Sequence, residues 1–346
     1  MNHRKIALVV FTAACCLRPS FAQEPAGETP AARPAENAED HLAAQPPGAN
    51  PAQLRRAVIL CGLPGDADHR KLFAETIESL YSALTTRQGF AAEHVTVLFG
   101  VETNEKDGPA LKASRGPATR ERLTETAAEL ERALQPGDAL WVFVFGHAHF
   151  DGRHSWLNLP GPDVNQLEFG KTFEPVRCRE QAFFITTPAS GYFIKPLAAR
   201  GRAVIAATEA DFEVNETIFP HKLVKLLAEP PALAEFDIDG DGRATMFDAY
   251  LGAARDTAQE YAAGELLATE HALLDDDGDG RGTEVQADYL PVEMGGRMRP
   301  GRDRPAPRAG DGAVCRGIAL AVPLEAPAPA ADEKSANGGE GAESRE

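Results

Sequence analysis

The most specific chemistry in the chain lies in twelve consecutive residues, Asp237-Ile238-Asp239-Gly240-Asp241-Gly242-Arg243-Ala244-Thr245-Met246-Phe247-Asp248. Calcium takes six to eight oxygen ligands at roughly 2.4 Å, and a loop of this length supplies them from its first, third, fifth, seventh, ninth and twelfth positions. Those positions hold Asp237, Asp239, Asp241, the carbonyl of Arg243, Thr245 (often through water) and Asp248. Gly242 falls sixth, where such a loop must turn sharply. Asp in place of Glu at the twelfth position is shorter, and contact through one oxygen weakens affinity. A second acidic run, Asp275-Asp276-Asp277-Gly278-Asp279-Gly280, starts 38 residues further on, with Thr283 and the neutral Gln286 at its ninth and twelfth positions. Asp275, Asp277 and Asp279 are its candidate calcium ligands. A glycine-rich acidic turn without an ion is the alternative for either loop.

A different chemistry is suggested by Gly146-His147-Ala148 and by Thr187-Pro188-Ala189-Ser190-Gly191, each of which follows an apolar run. A histidine leaving one strand and a short hydroxyl-bearing loop leaving its neighbour make a geometry for base and nucleophile. Thr187 and Ser190 are the hydroxyls that such a loop offers to His147. The alternative is a histidine that only caps backbone groups, and no carboxylate stands out to orient the ring.

These residues need a scaffold, and the hydropathy pattern describes one. Ala57–Cys61, His94–Phe99, Ala139–Phe145, Gln181–Thr187 and Arg202–Thr208 are short, nearly continuous apolar runs, as expected of strands buried on both faces. Between them, Arg70–Arg87, Thr119–Leu134 and Ile218–Leu227 space their apolar residues for one helix face. Strands alternating with helices predict an α/β fold with a mainly parallel sheet and helices on both faces. Chemistry in such sheets gathers beyond the carboxyl ends of the strands, just after Phe145, Thr187 and Thr208. Met246–Leu274 carries a helical pattern interrupted at Gly252 and Gly264, which would set helices between the two acidic loops.

Phe143-Val144-Phe145-Gly146-His147 resembles the strand-then-histidine segment of the caspase and legumain (asparaginyl endopeptidase) clan of cysteine peptidases. Phe184-Ile185-Thr186-Thr187-Pro188-Ala189-Ser190-Gly191 resembles the clan's nucleophile segment, and the order and spacing of elements fit over residues 55–228. The resemblance implies a caspase-like three-layer α/β sandwich over 53–230, with His147 in the place of the catalytic base. It puts Pro188 where the clan has its nucleophilic cysteine, and Ala148 where a glycine usually follows the histidine. Proline has neither a nucleophile nor an N–H. The expectation is therefore a catalytically inactive relative that binds a peptide or protein ligand. A hydrolase using His147 with Ser190 or Thr187 is the alternative, and a purely structural calcium-binding protein is a third. The acidic loops resemble EF-hand and dockerin loops, which implies a small helical calcium-binding appendix over 231–298. In clan peptidases polar residues after the first strand read the substrate; here that place holds Asp66-Ala67-Asp68-His69-Arg70.

The formal net charge of −17 argues against a nucleic-acid partner, which needs a basic surface. A bound cation would offset self-repulsion in such a chain. Met1–Lys5 is basic, Ile6–Leu17 apolar, and Ser20-Phe21-Ala22 is a cleavage site, which together predict an export signal over 1–22. The rival reading is a lipoprotein signal anchoring Cys15. No later apolar run is long enough to span a bilayer. Residues 23–52 and 299–346 are rich in Ala, Pro and Gly and predict a disordered linker and tail, with one returning strand over 313–323. Beyond the signal, Cys61, Cys178 and Cys315 are too few and too widely spaced for a disulfide framework.

Overall fold

A computed structural model describes residues 54–211, 213–291 and 310–325 of the protein. The export signal, Cys15, the linker and most of the tail lie outside the described residues. The first half runs β1 (Arg55–Cys61), α1 (Ala67–Thr86), β2 (Val95–Phe99), α2 (Pro109–Lys112), α3 (Arg120–Ala133) and β3 (Ala139–Phe145). Three short strands follow, β4 (Ala148–Phe150), β5 (Ser155–Leu157) and β6 (Val164–Asn165), then α4 (Gln166–Phe173) and β7 (Glu180–Ile185). The remainder is α5 (Ile194–Leu197), β8 (Arg202–Ala206), α6 (Phe219–Ala228), α7 (Leu233–Phe236), α8 (Met246–Ala263) and β9 (Leu273–Asp275).

The five apolar runs do form one parallel sheet, which β9 extends to six strands in the order β2-β1-β3-β7-β8-β9. β9 alone pairs antiparallel, Ile205 opposite Leu274. Because successive strand residues face opposite sides, each strand feeds two cores. Ile59, Phe143, Phe184 and Ile205 pack with α1, α6 and α8 on one face. Leu60, Val144, Phe183 and Val204 pack with α3, α4 and α5 on the other. The fold is thus mixed α/β with helices on both faces of a mostly parallel sheet.

Three expectations about the second half change. The 231–298 region is not a separate helical appendix: Met246, Phe247 and Tyr250 of α8 are buried in the same core as β1 and β3, and β9 belongs to the main sheet. The helical pattern through Leu274 ends at Gly264, the cap of α8, because Leu273–Asp275 finds an open strand edge on β8. Gly252, the other interruption, lies inside α8, where an added Cβ would meet the Leu226 side chain of α6 at 2.9 Å. Nor is 313–323 a strand. It contributes a single antiparallel bridge, Thr245 to Ala319, beyond a 3-10 turn at Cys315–Gly317. That segment is nonetheless structural: the buried Gln88 side chain after α1 bonds both ways with Ala321, receiving its N–H at 3.1 Å and donating to its carbonyl at 3.3 Å.

Candidate functional site

Strand order places the crevice of the sheet. From β1 the chain goes to β2 on one side and then crosses to β3 on the other, so the connections leaving β1 and β3 diverge at their carboxyl ends. His147 sits in that gap, two residues past β3. Its Nε2–H donates to the carbonyl of Pro64, three residues past β1, at 3.0 Å. A carbonyl only accepts, so Nε2 carries the proton and Nδ1 of the neutral ring is left as the basic atom. The ring packs edge-on to His69 at 4.7 Å and to Phe73 at 5.5 Å between centroids. His69, in the polar stretch after the first strand, is clamped between Glu216 (2.9 Å) and Asp66 (2.7 Å). Those two hydrogen bonds, Glu216's first, hold its pKa above the ordinary histidine value.

The segment resembling a nucleophile site lies on the adjacent strand. β3 and β7 pair in parallel with Val144 opposite Ile185, so His147 and Pro188 leave neighbouring strands at the same end of the sheet. Thr187, Pro188, Ala189 and Ser190 are all buried. The Ser190 hydroxyl is fully occupied: its oxygen accepts the N–H groups of Ala207 (3.0 Å) and Thr208 (3.1 Å) and shares a bond with the Thr208 hydroxyl at 3.0 Å. Its own N–H donates to that hydroxyl at 2.7 Å. Ser190 therefore stitches the loop to the end of β8 and makes no bond to His147. Thr187 Oγ1 is sealed from solvent and has no partner, His147 included. The glycine that follows fits only because it lacks a Cβ, which would lie 2.5 Å from the amide nitrogen of Ala210. Ala189 takes a left-handed conformation, φ 51°, uncommon for a residue with a side chain.

The three cysteines among the described residues are not placed to act as nucleophiles beside His147. Cys61, Cys178 and Cys315 are free. Burial pushes the thiols of Cys61 and Cys315 well up and that of Cys178 to about 12. Reactive cysteines need the opposite shift. Cys178 also precedes β7, at the far end of the sheet from His147.

The loop after β8 covers this region. Ala189 donates its N–H to the Glu213 carbonyl at 2.9 Å. The Glu213 carboxylate accepts the N–H groups of Glu209 (2.7 Å) and His271 (3.0 Å) and pairs with the His271 ring. That hydrogen bond raises the His271 pKa. A raised histidine gives stabilisation that is complete below its unfolded value, about 6.5, and is lost as pH rises through the folded value. Hydrogen-exchange protection at the amides of Ala189 and Glu209 should therefore fall as pH is taken from mildly acid to alkaline. His271→Gln should flatten that dependence.

In the first acidic loop the carboxylates of Asp237, Asp239 and Asp248 converge, with one oxygen from each within 4.8 Å of the others. Gly242 turns with φ +83°. Asp237 accepts the amides of Gly240, Asp241 and Gly242. Burial pushes the Asp248 carboxyl up to about 6. The Asp241 carboxylate is not in this group; it is exposed and accepts the Arg243 amide. The Thr245 hydroxyl is spent on Asp248, at 2.7 Å, as part of the cap of α8. Only the carbonyl of Arg243 was expected to serve, since its guanidinium cannot.

The second loop is flanked not by two α-helices but by β9 and a 3-10 turn at Val285–Asp288. It leaves β9, turns, and returns to bridge Leu274 with Thr283. Its converging carboxylates are Asp275, Asp277 and Asp311. Burial pushes Asp275 up to about 6 and raises Asp311. Asp279 stands outside the group, accepting the Arg281 amide. Gln286, expected at the twelfth position, bonds instead to the Ala272 carbonyl and Tyr250. Asp311 comes from the stretch read as a tail. The neutral Gln286 at the twelfth position is the one sequence feature that sets this loop apart from the first. The same segment sends Arg316 to Asp239 of the first loop, Nε to Oδ2 at 2.7 Å, and is fixed by the buried Asp276 carboxylate, which accepts the amides of Gly312 and Cys315. Each loop thus gathers three carboxylates, with Asp248 and Asp275 buried and Asp277 exposed.

Compared with models of known protein families and with curated proteins, the chain matches none. No helix among the described residues is long and apolar enough to cross a membrane.

Proposed function

We propose that this is an exported, catalytically inactive relative of the caspase and legumain peptidases that binds a peptide or protein ligand at the His147 crevice, with calcium bracing the acidic loops. One observation carries the reading. His147 donates its Nε2–H to the Pro64 carbonyl, which leaves Nδ1 as its basic atom, while Pro188 stands in the loop that leaves the neighbouring strand and both hydroxyls of that loop are withheld, Ser190 by backbone amides and Thr187 by burial. A base without a nucleophile leaves a cleft able to hold a chain but not to cut it. The hydrolase alternative needs a hydroxyl within about 3.2 Å of the imidazole, and neither Thr187 nor Ser190 makes that bond.

The test is a peptide library passed over the purified protein, with cleavage and retention both read. Retention without cleavage is expected, and His147→Ala should alter retention. Iodoacetamide should change neither. Pro188→Cys alone should restore little turnover, because Ala148 remains and the segment is buried. Cleavage after Asn or Asp that alkylation abolishes would overturn the reading.

A further inference from the structure

We propose that a groove at the amino-terminal end of the sheet, remote from His147, binds a phosphate-type oxyanion. The groove encloses about 320 Å³. Arg56 enters it from the start of β1, Thr96 from the start of β2, and Thr126 and Arg132 from α3.

The lining is rich in donors that lack acceptors. Arg56 Nε is sealed from solvent, so a ligand would meet the guanidinium through its two terminal nitrogens, which form no hydrogen bond or ion pair among the described residues. Thr126 is 3% exposed, and its hydroxyl makes no hydrogen bond to the protein. Thr96 likewise has none. A guanidinium carries five N–H donors and no acceptor of its own, so the terminal nitrogens of Arg56, left without a protein acceptor, are open to a ligand. The other charges on the wall do not quench it. Arg115 is already paired with Glu129, which leaves Arg56 and Arg132 facing one carboxylate, Glu93.

A ligand for this set must supply acceptors in several directions at once, since the donors approach from two strands and a helix. A tetrahedral oxyanion does so, and charge-assisted bonds from arginine to phosphate are among the strongest available. A cation or a basic peptide would meet Arg56 and Arg132 with like charge. The same chemistry is offered by free inorganic phosphate and by a phosphoryl ester on a larger molecule. This site does not rest on the peptide-binding reading.

The experiment titrates inorganic phosphate into the full chain by calorimetry, with chloride at matched ionic strength as the control and phenyl phosphate as a second arm. Saturable one-site binding that chloride does not reproduce is expected, with a rise in melting temperature. Arg56→Gln should weaken it about tenfold or more, and Thr126→Val several-fold. Arg132→Gln, on the exposed last turn of α3, tests the site without disturbing the core. Tighter binding of phenyl phosphate would identify an ester as the ligand, and tighter binding of inorganic phosphate the free ion; both support the site. Binding that never saturates at about 10 mM phosphate, or an affinity unchanged in Arg56→Gln and Arg132→Gln alike, would overturn it.

Discussion

Stripping divalent cations with a chelator should lower the melting temperature by roughly 5–10 °C, and about 10 mM calcium should restore it. The magnitude follows from linkage. A ligand bound only by the folded state stabilises it by RT ln(1 + [L]/Kd), about 2.7 kcal/mol per site at one hundred times Kd. Extracellular-type calcium sites have Kd near 10⁻⁴ M, so about 10 mM calcium reaches that excess and micromolar calcium does not. In a domain of this size each kcal/mol moves the midpoint by about 2–4 °C. Asp237→Asn separates calcium binding from the acidic turn itself. It removes charge beside Asp239 and Asp248 and leaves an oxygen for the amides of Gly240 and Asp241, while the exposed Gly242 amide loses its acceptor to water. The chelated variant should melt close to the chelated parent, these two effects opposing one another, yet respond less to calcium. Asp275→Asn asks the same of the second loop. If chelated and calcium-loaded parent protein melt together, neither loop holds an ion.

Ser190→Ala should destabilise the fold by about 2–4 kcal/mol and abolish no turnover. Its oxygen accepts two buried amides and exchanges a bond with a buried hydroxyl. Removing one acceptor leaves donors unsatisfied at roughly 1–3 kcal/mol each, partly relieved by rearrangement of the Thr208 hydroxyl. Chemical denaturation with a constant m-value would measure the loss. The hydrolase reading predicts a different pattern: Ser190→Ala and His147→Ala would each cut a measurable rate by about a hundredfold or more. That result would mean that Ser190 leaves its amides in the working state.

The five central strands were legible because strands buried on both faces must be apolar at every position, and Ala139–Phe145 is. The place of His147 followed from the same pattern, since it directly succeeds such a run. What the sequence concealed depends on partners distant along the chain. β9 is three residues long, too short to break a helical pattern, and is a strand only because β8 offers an unpaired edge. Asp311 and Arg316 looked like members of a solvated tail because nothing local marks their destinations, Thr283 and Asp239. Ser190 illustrates the converse. Its type and position suggested a surrogate nucleophile, and only the amides of Ala207 and Thr208 reveal it as a structural acceptor.

The two bonds between Gln88 and Ala321, 233 residues apart, set a condition on when the chain can fold. A polypeptide emerging from the ribosome or a translocation pore presents β1, α1 and β3 early, yet the socket around Gln88 and the backbone groups that Asp276 serves stay unmatched until residues 310–321 arrive. Such late closure of long loops gives high contact order, which slows folding and lengthens the interval in which apolar strands are exposed. The final barrier to folding thus falls late in synthesis, when residues 310–321 dock.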